Sequence, residues 1–300
     1  MERKKKKMYR VLGVLCVIAV ILGIFFLNAR RNALVRFAVY EAKAKSVMTS
    51  YGKLSYIDEG SGEAIISCHG ICGGYDQAYD TLAGKETSYR ILAPSRFGYP
   101  GSDMPDEPTI EKQAAAYAEL LDALQIDKAY ILATSAGGTS AIRFALTYPE
   151  RTKGLILYCS GYPLMEEPED KVSYVGPPGV LSNDLPMWLM SPLFPVIMGM
   201  EQDTIEMIMP FADKNAGIVL DSKLTNTDMC NNYQNYNLQK LQVPVLILHA
   251  KDDKLADYEL AAQWAEQIPD CTFVSFEHGG HLMKGNGAAI DNALKEFIRN

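Results

Sequence analysis

The stretch AYILATSAGG, residues 129–138, decides the predicted fold. Its first six residues are a short apolar run typical of a buried β-strand, and a helix-like stretch follows the serine. A sharp turn between strand and helix would hold Ser135 in strained backbone geometry, and it requires small residues two positions before and after it. Ala133 and Gly137 meet that requirement. Ser135 is therefore a candidate nucleophile, although a serine at a strand end is also typical of an ordinary turn.

Apolar runs and amphipathic stretches alternate on both sides of this segment. The strand-like runs are residues 50–58, 64–69, 89–93, 129–134, 154–158, 243–249 and 272–276, and the helix-like stretches include 110–124, 136–147 and 258–267. Short, nearly continuous apolar strands separated by helices are what a parallel sheet covered on both faces requires. We predict a doubly wound, mostly parallel α/β sheet formed by residues 50–160 and 242–300.

The alternation fails over residues 161–241, where Pro, Met and large apolar residues crowd together. Met fills irregular space and adapts to varied ligands. This composition predicts a helical lid over an apolar pocket, inserted between two core strands. A helical subdomain that packs only on itself is the alternative.

The amino terminus, residues 1–31, has the pattern of a membrane anchor. Within residues 1–36, nine Lys or Arg oppose one Glu, and the run 11–27 carries no charge. Residues 8–27 are long enough to cross a hydrocarbon core as a helix. The larger basic cluster precedes this run, which predicts a single-pass protein with a cytoplasmic amino terminus and an extracytoplasmic catalytic domain. A cleaved signal peptide is the alternative, and residues 32–49 are predicted to be a helical or extended stalk.

Charge and residue spacing exclude several classes of function. The net charge of −7 divides into +8 for residues 1–36 and −15 for the rest. An acidic body of this kind lacks the basic stripe that a nucleic acid requires. No His, Cys, Asp or Glu cluster has convincing metal-ligand spacing, and no glycine-rich phosphate loop follows a strand, so we expect neither a metal nor another cofactor.

Four further motifs, together with the serine turn, resemble the α/β-hydrolase family from about residue 50 to residue 300. HGICGG at 69–74 is similar to the oxyanion loop of that family, and PSRFGYPGS at 94–102 to its R-x-G-Y/F-x-x-S loop. VLILHAKDD at 245–253 is similar to the strand and loop that carry the acid, and EHGGH at 277–281 to the turn that carries the histidine. Alanine replaces the usual glycine at Ala133 and Ala250. The resemblance is to serine esterases and lipases of this family, here with a membrane anchor.

The resemblance implies a triad of Ser135, Asp253 and His281, which occur in the order typical of the family. A serine hydroxyl is a weak nucleophile until a histidine takes its proton, and the imidazole needs a carboxylate to fix its tautomer. The resemblance also implies that the backbone N–H groups of Ile71 and Ala136 form the oxyanion hole.

Other residues compete for two of these roles. Asp252 is the alternative acid, and His278 is the alternative base. His249, at a strand end, is interpreted as a satisfied core histidine. His69 is predicted to brace the oxyanion loop rather than react.

These residues predict hydrolysis of a carboxylic ester through an acyl-enzyme, with a lipophilic or aliphatic acyl group. A small-peptide or amide hydrolase of the same fold is an alternative, although the G-G-S-W elbow of such enzymes is missing. Dehalogenase and epoxide hydrolase chemistry needs an aspartate where Ser135 stands. A non-catalytic binding protein that keeps the fold is the remaining hypothesis.

Overall fold

A computed structural model describes residues 2–299, which form one eight-stranded sheet flanked by helices. The strands are β1 (Lys45–Thr49), β2 (Gly52–Gly60), β3 (Glu63–Cys68), β4 (Tyr89–Pro94), β5 (Ala129–Thr134), β6 (Thr152–Tyr158), β7 (Val245–Ala250) and β8 (Cys271–Phe276). Their order in the sheet is β1-β2-β4-β3-β5-β6-β7-β8. Strands β1 and β2 run antiparallel to their neighbours, and the other strands are parallel. The predicted mostly parallel α/β sheet is confirmed.

Both faces of the sheet are covered by helices, which explains why its central strands are apolar throughout. All six residues of β5 are buried. Ile131 belongs to the core beneath the helices Ile110–Ala123, Gly137–Thr147 and Tyr258–Gln267, whereas its neighbour Leu132 belongs to the core beneath the helices Tyr75–Asp80 and Gly287–Arg299. Successive side chains of a strand point to opposite faces, so a strand covered on both sides needs an apolar residue at every position.

The helices are short except at the amino terminus. They are α1 (Glu2–Glu41), α2 (Tyr75–Asp80), α3 (Ile110–Ala123), α4 (Gly137–Thr147), α5 (Asp184–Met190), α6 (Phe194–Ile197), α7 (Thr204–Ile208), α8 (Asn215–Leu220), α9 (Asn226–Asn231), α10 (Tyr258–Gln267) and α11 (Gly287–Arg299). Helices α5 to α9 lie between β6 and β7, within the predicted insertion. Helices α5 to α8 share a core with Ala33 of α1, Tyr99 and Cys72, so this part of the inserted segment packs against α1 and against the loops that follow β3 and β4. Met229 of α9 belongs instead to the core beneath α3, α4 and α10.

The predicted stalk, residues 32–49, is divided between two other elements. Its first ten residues are the end of α1, and Lys45–Thr49 is β1, which pairs with β2 through a turn between Thr49 and Gly52. The sheet therefore begins five residues before the predicted boundary at residue 50. Strand β1 lies at the sheet edge and has no fully buried residue, so its sequence lacks the apolar signal that identifies the inner strands.

Helix α1 is continuous and has two environments. Among the described residues, it is the one helix long and apolar enough to cross a membrane, with mean hydropathy 2.8 over 18 residues and none of that window buried. Beyond this window the same helix packs on the body: Ala33 is fully buried, and Phe37 stacks on Tyr75 with ring centroids 5.7 Å apart. Arg30 pairs with Asp184 of α5 at 2.9 Å. Helix α1 thus ties the apolar segment rigidly to the inserted helices.

Candidate active site

The turn after β5 has the geometry that the sequence predicts for a nucleophile. Ser135 has φ of 51°, a left-handed conformation that costs a non-glycine residue on the order of 1–3 kcal/mol. Its amide donates to the Tyr158 carbonyl at 3.0 Å, and its carbonyl accepts from the Gly138 amide at 2.9 Å. A Cβ at Gly137 would lie 2.5 Å from the Cys68 carbonyl oxygen, so only glycine allows α4 to approach β3 this closely. The small-residue requirement is therefore steric.

Asp253 and His281 meet in the loops that follow β7 and β8. His281 Nδ1 lies 3.0 Å from both carboxylate oxygens of Asp253. Oδ1 also accepts from the amides of Leu255 at 2.8 Å and Ala256 at 3.1 Å. Burial alone would raise the pKa of Asp253, but hydrogen bonds from His249 and His281 outweigh burial and hold the pKa well below its usual range. An ionised Asp253 requires the His281 proton on Nδ1, which leaves Nε2 free to accept another proton.

Cys159 lies between the serine turn and the loops that follow β7 and β8. It directly follows Tyr158, whose carbonyl binds the Ser135 amide, and its Sγ lies within 4.8 Å of ligand atoms of Asp253 and His281. In the part of the chain that is described, these three residues are the one such cluster that could hold a metal ion. Burial raises the pKa of the Cys159 thiol well above its usual range, which opposes the thiolate that metals prefer. We therefore interpret the cluster as an acid and a base beside a neutral thiol.

The loop after β3 lies against Ser135 and offers the predicted oxyanion donors. A Cβ placed on Gly70 would lie 3.3 Å from the Ser135 Cβ. Neither the Ile71 amide nor the Ala136 amide donates a hydrogen bond to another group among residues 2–299. Ala136 immediately precedes α4, where the helix dipole favours negative charge. Both amides are thus available to a ligand at the serine.

His69 lies beneath this loop and not in the reacting position. Its Nε2 accepts from the Arg96 amide at 3.0 Å, so the ring proton is on Nδ1, which lies 2.7 Å from the Gly70 carbonyl. Burial, with Arg96 nearby, lowers the pKa of His69 well below its usual range. A neutral imidazole with both nitrogens engaged holds the oxyanion loop in place, as the sequence analysis expects.

A buried ion pair joins the oxyanion loop to the inserted segment. The Arg96 guanidinium forms a bidentate pair with Asp221, and both side chains are almost fully buried. Arg96 also donates to the carbonyls of His69 at 3.2 Å and Gly70 at 3.1 Å. Tyr99 donates to Asp221 at 2.5 Å. The sequence analysis missed Asp221, because its partner lies 125 residues away and no local pattern identifies it.

Breaking this ion pair is expected to destabilise the protein strongly. Asp221→Asn leaves the Arg96 charge buried without its counter-ion, which should lower the free energy of unfolding by about 3–5 kcal/mol. Glu63→Gln is the matched control, because Glu63 and Lys153 are 44% and 36% exposed and such pairs contribute about 0–1 kcal/mol. Urea unfolding of the full chain in detergent measures both. Equal losses in the two variants would contradict the expected dependence on burial.

The structure separates the competing acids and bases. Asp252 accepts from the Gly280 amide at 2.8 Å and the Gly279 amide at 3.3 Å, so it caps the turn before His281. His278 is 90% exposed on its side chain, and its Nδ1 is 3.7 Å from Asp252. Of the candidate pairs, Asp253 and His281 are the two whose ligand atoms lie within 4.8 Å of Cys159 Sγ, and Cys159 directly follows the residue whose carbonyl binds the Ser135 amide.

His249 differs from the satisfied core histidine that its sequence position suggests. It is fully buried, but its Nε2 lies 3.1 Å from Asp253 Oδ2. Its Nδ1 has no hydrogen-bond partner among the described residues. The one local hint of this contact in the sequence is that Asp253 follows His249 by four residues, across the end of β7. That spacing brings the two side chains together only if the chain reverses direction immediately after the strand.

The sheet order and the serine turn at its central strand define an α/β-hydrolase. The sequence profile of the alpha/beta hydrolase family matches residues 65–284, and the chain belongs to this family.

Similar proteins support assignment of the chain as a hydrolase. It is 26% identical over 274 residues to 2-hydroxy-6-oxo-6-phenylhexa-2,4-dienoate hydrolase of Burkholderia cepacia, which covers 81% of this chain and 90% of the relative. A thermophilic esterase from Thermogutta terrifontis has a TM-score of 0.65 at 21% identity and covers 85% of this chain and 98% of its own. A membrane phospholipase A has a TM-score of 0.68 at 18% identity, and the match covers 97% of this chain and 99% of the phospholipase chain.

Proposed function

We propose that the protein is a serine hydrolase that cleaves carboxylic esters with an apolar acyl group, using Ser135, His281 and Asp253. The observation that carries the proposal is the contact of His281 Nδ1 with both oxygens of Asp253, at 3.0 Å, and the positive φ of Ser135 supports it. An imidazole held in this way presents Nε2 as a base, which is what a serine hydroxyl needs to become nucleophilic.

The reaction proceeds through two acyl transfers. Ser135 Oγ attacks the ester carbonyl while His281 Nε2 takes the hydroxyl proton, and the Ile71 and Ala136 amides stabilise the negative oxygen that develops. The tetrahedral intermediate collapses, and His281 returns the proton to the departing alkoxide. A water molecule then attacks the acyl-enzyme by the same route, which releases the acid and restores Ser135. Asp253 stays ionised throughout and stabilises the imidazolium.

An apolar acyl group is supported by the segment that covers the oxyanion loop. Its core contains Met187, Phe194, Met209 and Phe211, and it packs against Cys72 beside the predicted oxyanion donor. An apolar segment beside the oxyanion loop leaves no polar group unpaired against an alkyl chain. An amide substrate, or the dienoate for which the Burkholderia cepacia relative is named, is an alternative that assays distinguish.

We expect hydrolysis of p-nitrophenyl esters to improve with acyl length. Burial of each methylene contributes about 0.8 kcal/mol, so kcat/KM should rise by about fourfold per methylene from acetate until the pocket is filled. The full chain in detergent is assayed with C2 to C12 esters, with matched p-nitroanilides, and with 2-hydroxy-6-oxo-6-phenylhexa-2,4-dienoate. A preference for the anilides or for the dienoate would overturn the ester assignment, and a flat response to length would overturn the apolar acyl site.

We further propose that residues 8–27 span the cell membrane, with the amino terminus cytoplasmic and the catalytic domain outside. The exposed apolar window of α1 supports this, because a helix that is apolar on all sides has no stable place in water. The basic cluster at residues 3–10 supports the orientation.

Carbonate extraction at high pH is expected to leave the full chain in the membrane fraction. In spheroplasts, external protease should digest the body, while a tag before residue 1 stays protected and attached to a fragment of the helix. Release by carbonate would contradict the span. Loss of the tag before protease is added would instead favour a cleaved signal peptide.

A further inference from the structure

The carboxylate of Asp253 carries a second histidine that the proposed mechanism does not use. His249, the penultimate residue of β7, is fully buried, and its Nε2 lies 3.1 Å from Asp253 Oδ2. The same nitrogen is 3.3 Å from the Ala256 carbonyl oxygen. Two histidines therefore face one carboxylate, His249 from strand β7 and His281 from the loop after β8.

The neighbours of His249 determine which ring nitrogen carries its proton. Nε2 faces two acceptors, a carboxylate oxygen and a carbonyl oxygen, and must therefore be the donor. Nδ1 is buried with no partner among residues 2–299, and a proton there would add an unsatisfied donor. His249 is thus a neutral donor with its single proton directed at Asp253.

The hydrogen bonds to Asp253 are divided between its two oxygens. Oδ1 receives the amides of Leu255 and Ala256, whereas Oδ2 receives His249 and no backbone amide among the described residues. His281 lies equally close to both oxygens. Without His249, Oδ2 would keep His281 as its one donor, and the carboxylate could rotate about its Cβ–Cγ bond.

We propose that His249 is a positioning residue for the catalytic acid, an inference that rests on the proposed function. It holds the carboxylate plane so that both oxygens face His281, and it withdraws negative charge from Oδ2. Both effects reach the reacting serine only through Asp253 and His281. The titratable groups around this pair are Cys159, Tyr162 and Tyr258, with ring centroids of the two tyrosines 6.4 Å and 6.0 Å from that of His249.

Two variants of His249 distinguish a role in positioning Asp253 from a role in packing. In His249→Gln the side-chain amide reaches the place of Nε2 and keeps a donor, whereas His249→Leu has a similar volume and no donor. We expect His249→Leu to lower kcat by about 10–100-fold, because a misplacement of about 1 Å costs about 10²-fold. KM should change less than about twofold, since His249 does not contact substrate, and His249→Gln should recover most of kcat.

The pH dependence of kcat/KM distinguishes the two roles, because loss of packing alone would not shift it. Asp253 in His249→Leu keeps more negative charge for His281, so the acid limb of kcat/KM should shift to higher pH, and it should return in His249→Gln. All rates are divided by the fraction of molecules that react with a fluorophosphonate, so partial unfolding does not imitate the effect. If His249→Leu does not fold, His249→Met replaces it as the apolar variant.

Two outcomes would overturn the inference. The first is an apolar variant with unchanged kcat and unchanged acid limb per reactive site, and the second is a glutamine variant as impaired as the leucine variant. Ser135→Ala is assayed alongside. Full ester hydrolysis by Ser135→Ala would overturn the proposed function, whereas an inactive Ser135→Ala with an unaffected His249→Leu would overturn the role of His249 alone.

Discussion

Ser135→Ala is expected to lower kcat for ester hydrolysis by about 10⁶-fold. The reason is that the proposed reaction forms a covalent bond to Ser135 Oγ, and neither the oxyanion amides nor His281 can replace that atom. Binding should persist, because the acyl site and the oxyanion loop do not depend on the hydroxyl. The residual rate should be that of water attack assisted by the remaining groups, as in other serine hydrolases that lack the nucleophile.

The measurement combines ester hydrolysis with fluorophosphonate labelling of the full chain. Ser140→Ala is the matched control, because Ser140 is buried in α4 and its hydroxyl donates to the Gly137 carbonyl of its own helix. This control should stay within about threefold of the native rate, a change of less than about 0.7 kcal/mol. No labelling of the native chain at Ser135, with Ser135→Ala behaving identically, would remove the enzyme interpretation and favour a non-catalytic protein that keeps the fold.

Asp253→Asn is expected to lower kcat by about 10⁴-fold while leaving the fold intact. An asparagine has one acceptor oxygen, and its amide must donate. Facing His281 Nδ1 and His249 Nε2 at once, it cannot satisfy both protons, so one ring must change tautomer. If His281 changes, its Nε2 becomes a donor and no longer accepts the serine proton. The loss of charge also removes the stabilisation of the imidazolium.

Asp252→Asn is the control that the chain itself provides, one residue earlier in the same loop. Among the described residues, its oxygens accept hydrogen bonds from the Gly279 and Gly280 amides alone, and they lie near an exposed His278. A neutral amide oxygen can therefore replace one of them. We expect a loss below about tenfold, corresponding to about 1.4 kcal/mol. Steady-state kinetics on both variants compares the two acids, and a larger loss in Asp252→Asn than in Asp253→Asn would assign the acid to Asp252.

The inner strands of the sheet were predictable because burial on both faces requires a continuous run of apolar residues, which is visible in the local sequence. Strand β5 matches its predicted range of residues 129–134, and the predicted helix 258–267 matches α10. The edge was not predictable in the same way. Strand β1 is largely exposed, so its residues satisfy the same hydrogen-bond ladder without the apolar pattern that marks a strand. The boundary predicted at residue 50 therefore lies five residues after the start of the sheet.

Some features of the site could be identified from the sequence, and others could not. The motifs around Ser135, Asp253 and His281 are local. Each depends on a turn of a few residues, and the small residues that the turn requires are visible in the sequence. The pairing of Arg96 with Asp221 is not local, and neither is the contact of helix α1 with the inserted segment. Such contacts depend on how the inserted helices fold over the sheet, and many partners would suit a single buried arginine or aspartate.

By itself, the sequence determined the sheet and the serine turn, and it predicted the acid and the base, because periodicity and turn chemistry act over a few residues. The tertiary structure alone decided three matters: that His281 faces Asp253 rather than Asp252, that His249 shares this carboxylate, and that Asp221 neutralises Arg96 under the oxyanion loop. Each depends on the distance between side chains from separate loops. Hydrogen bonds and buried charges require contact within about 3 Å, and only the folded backbone sets such distances.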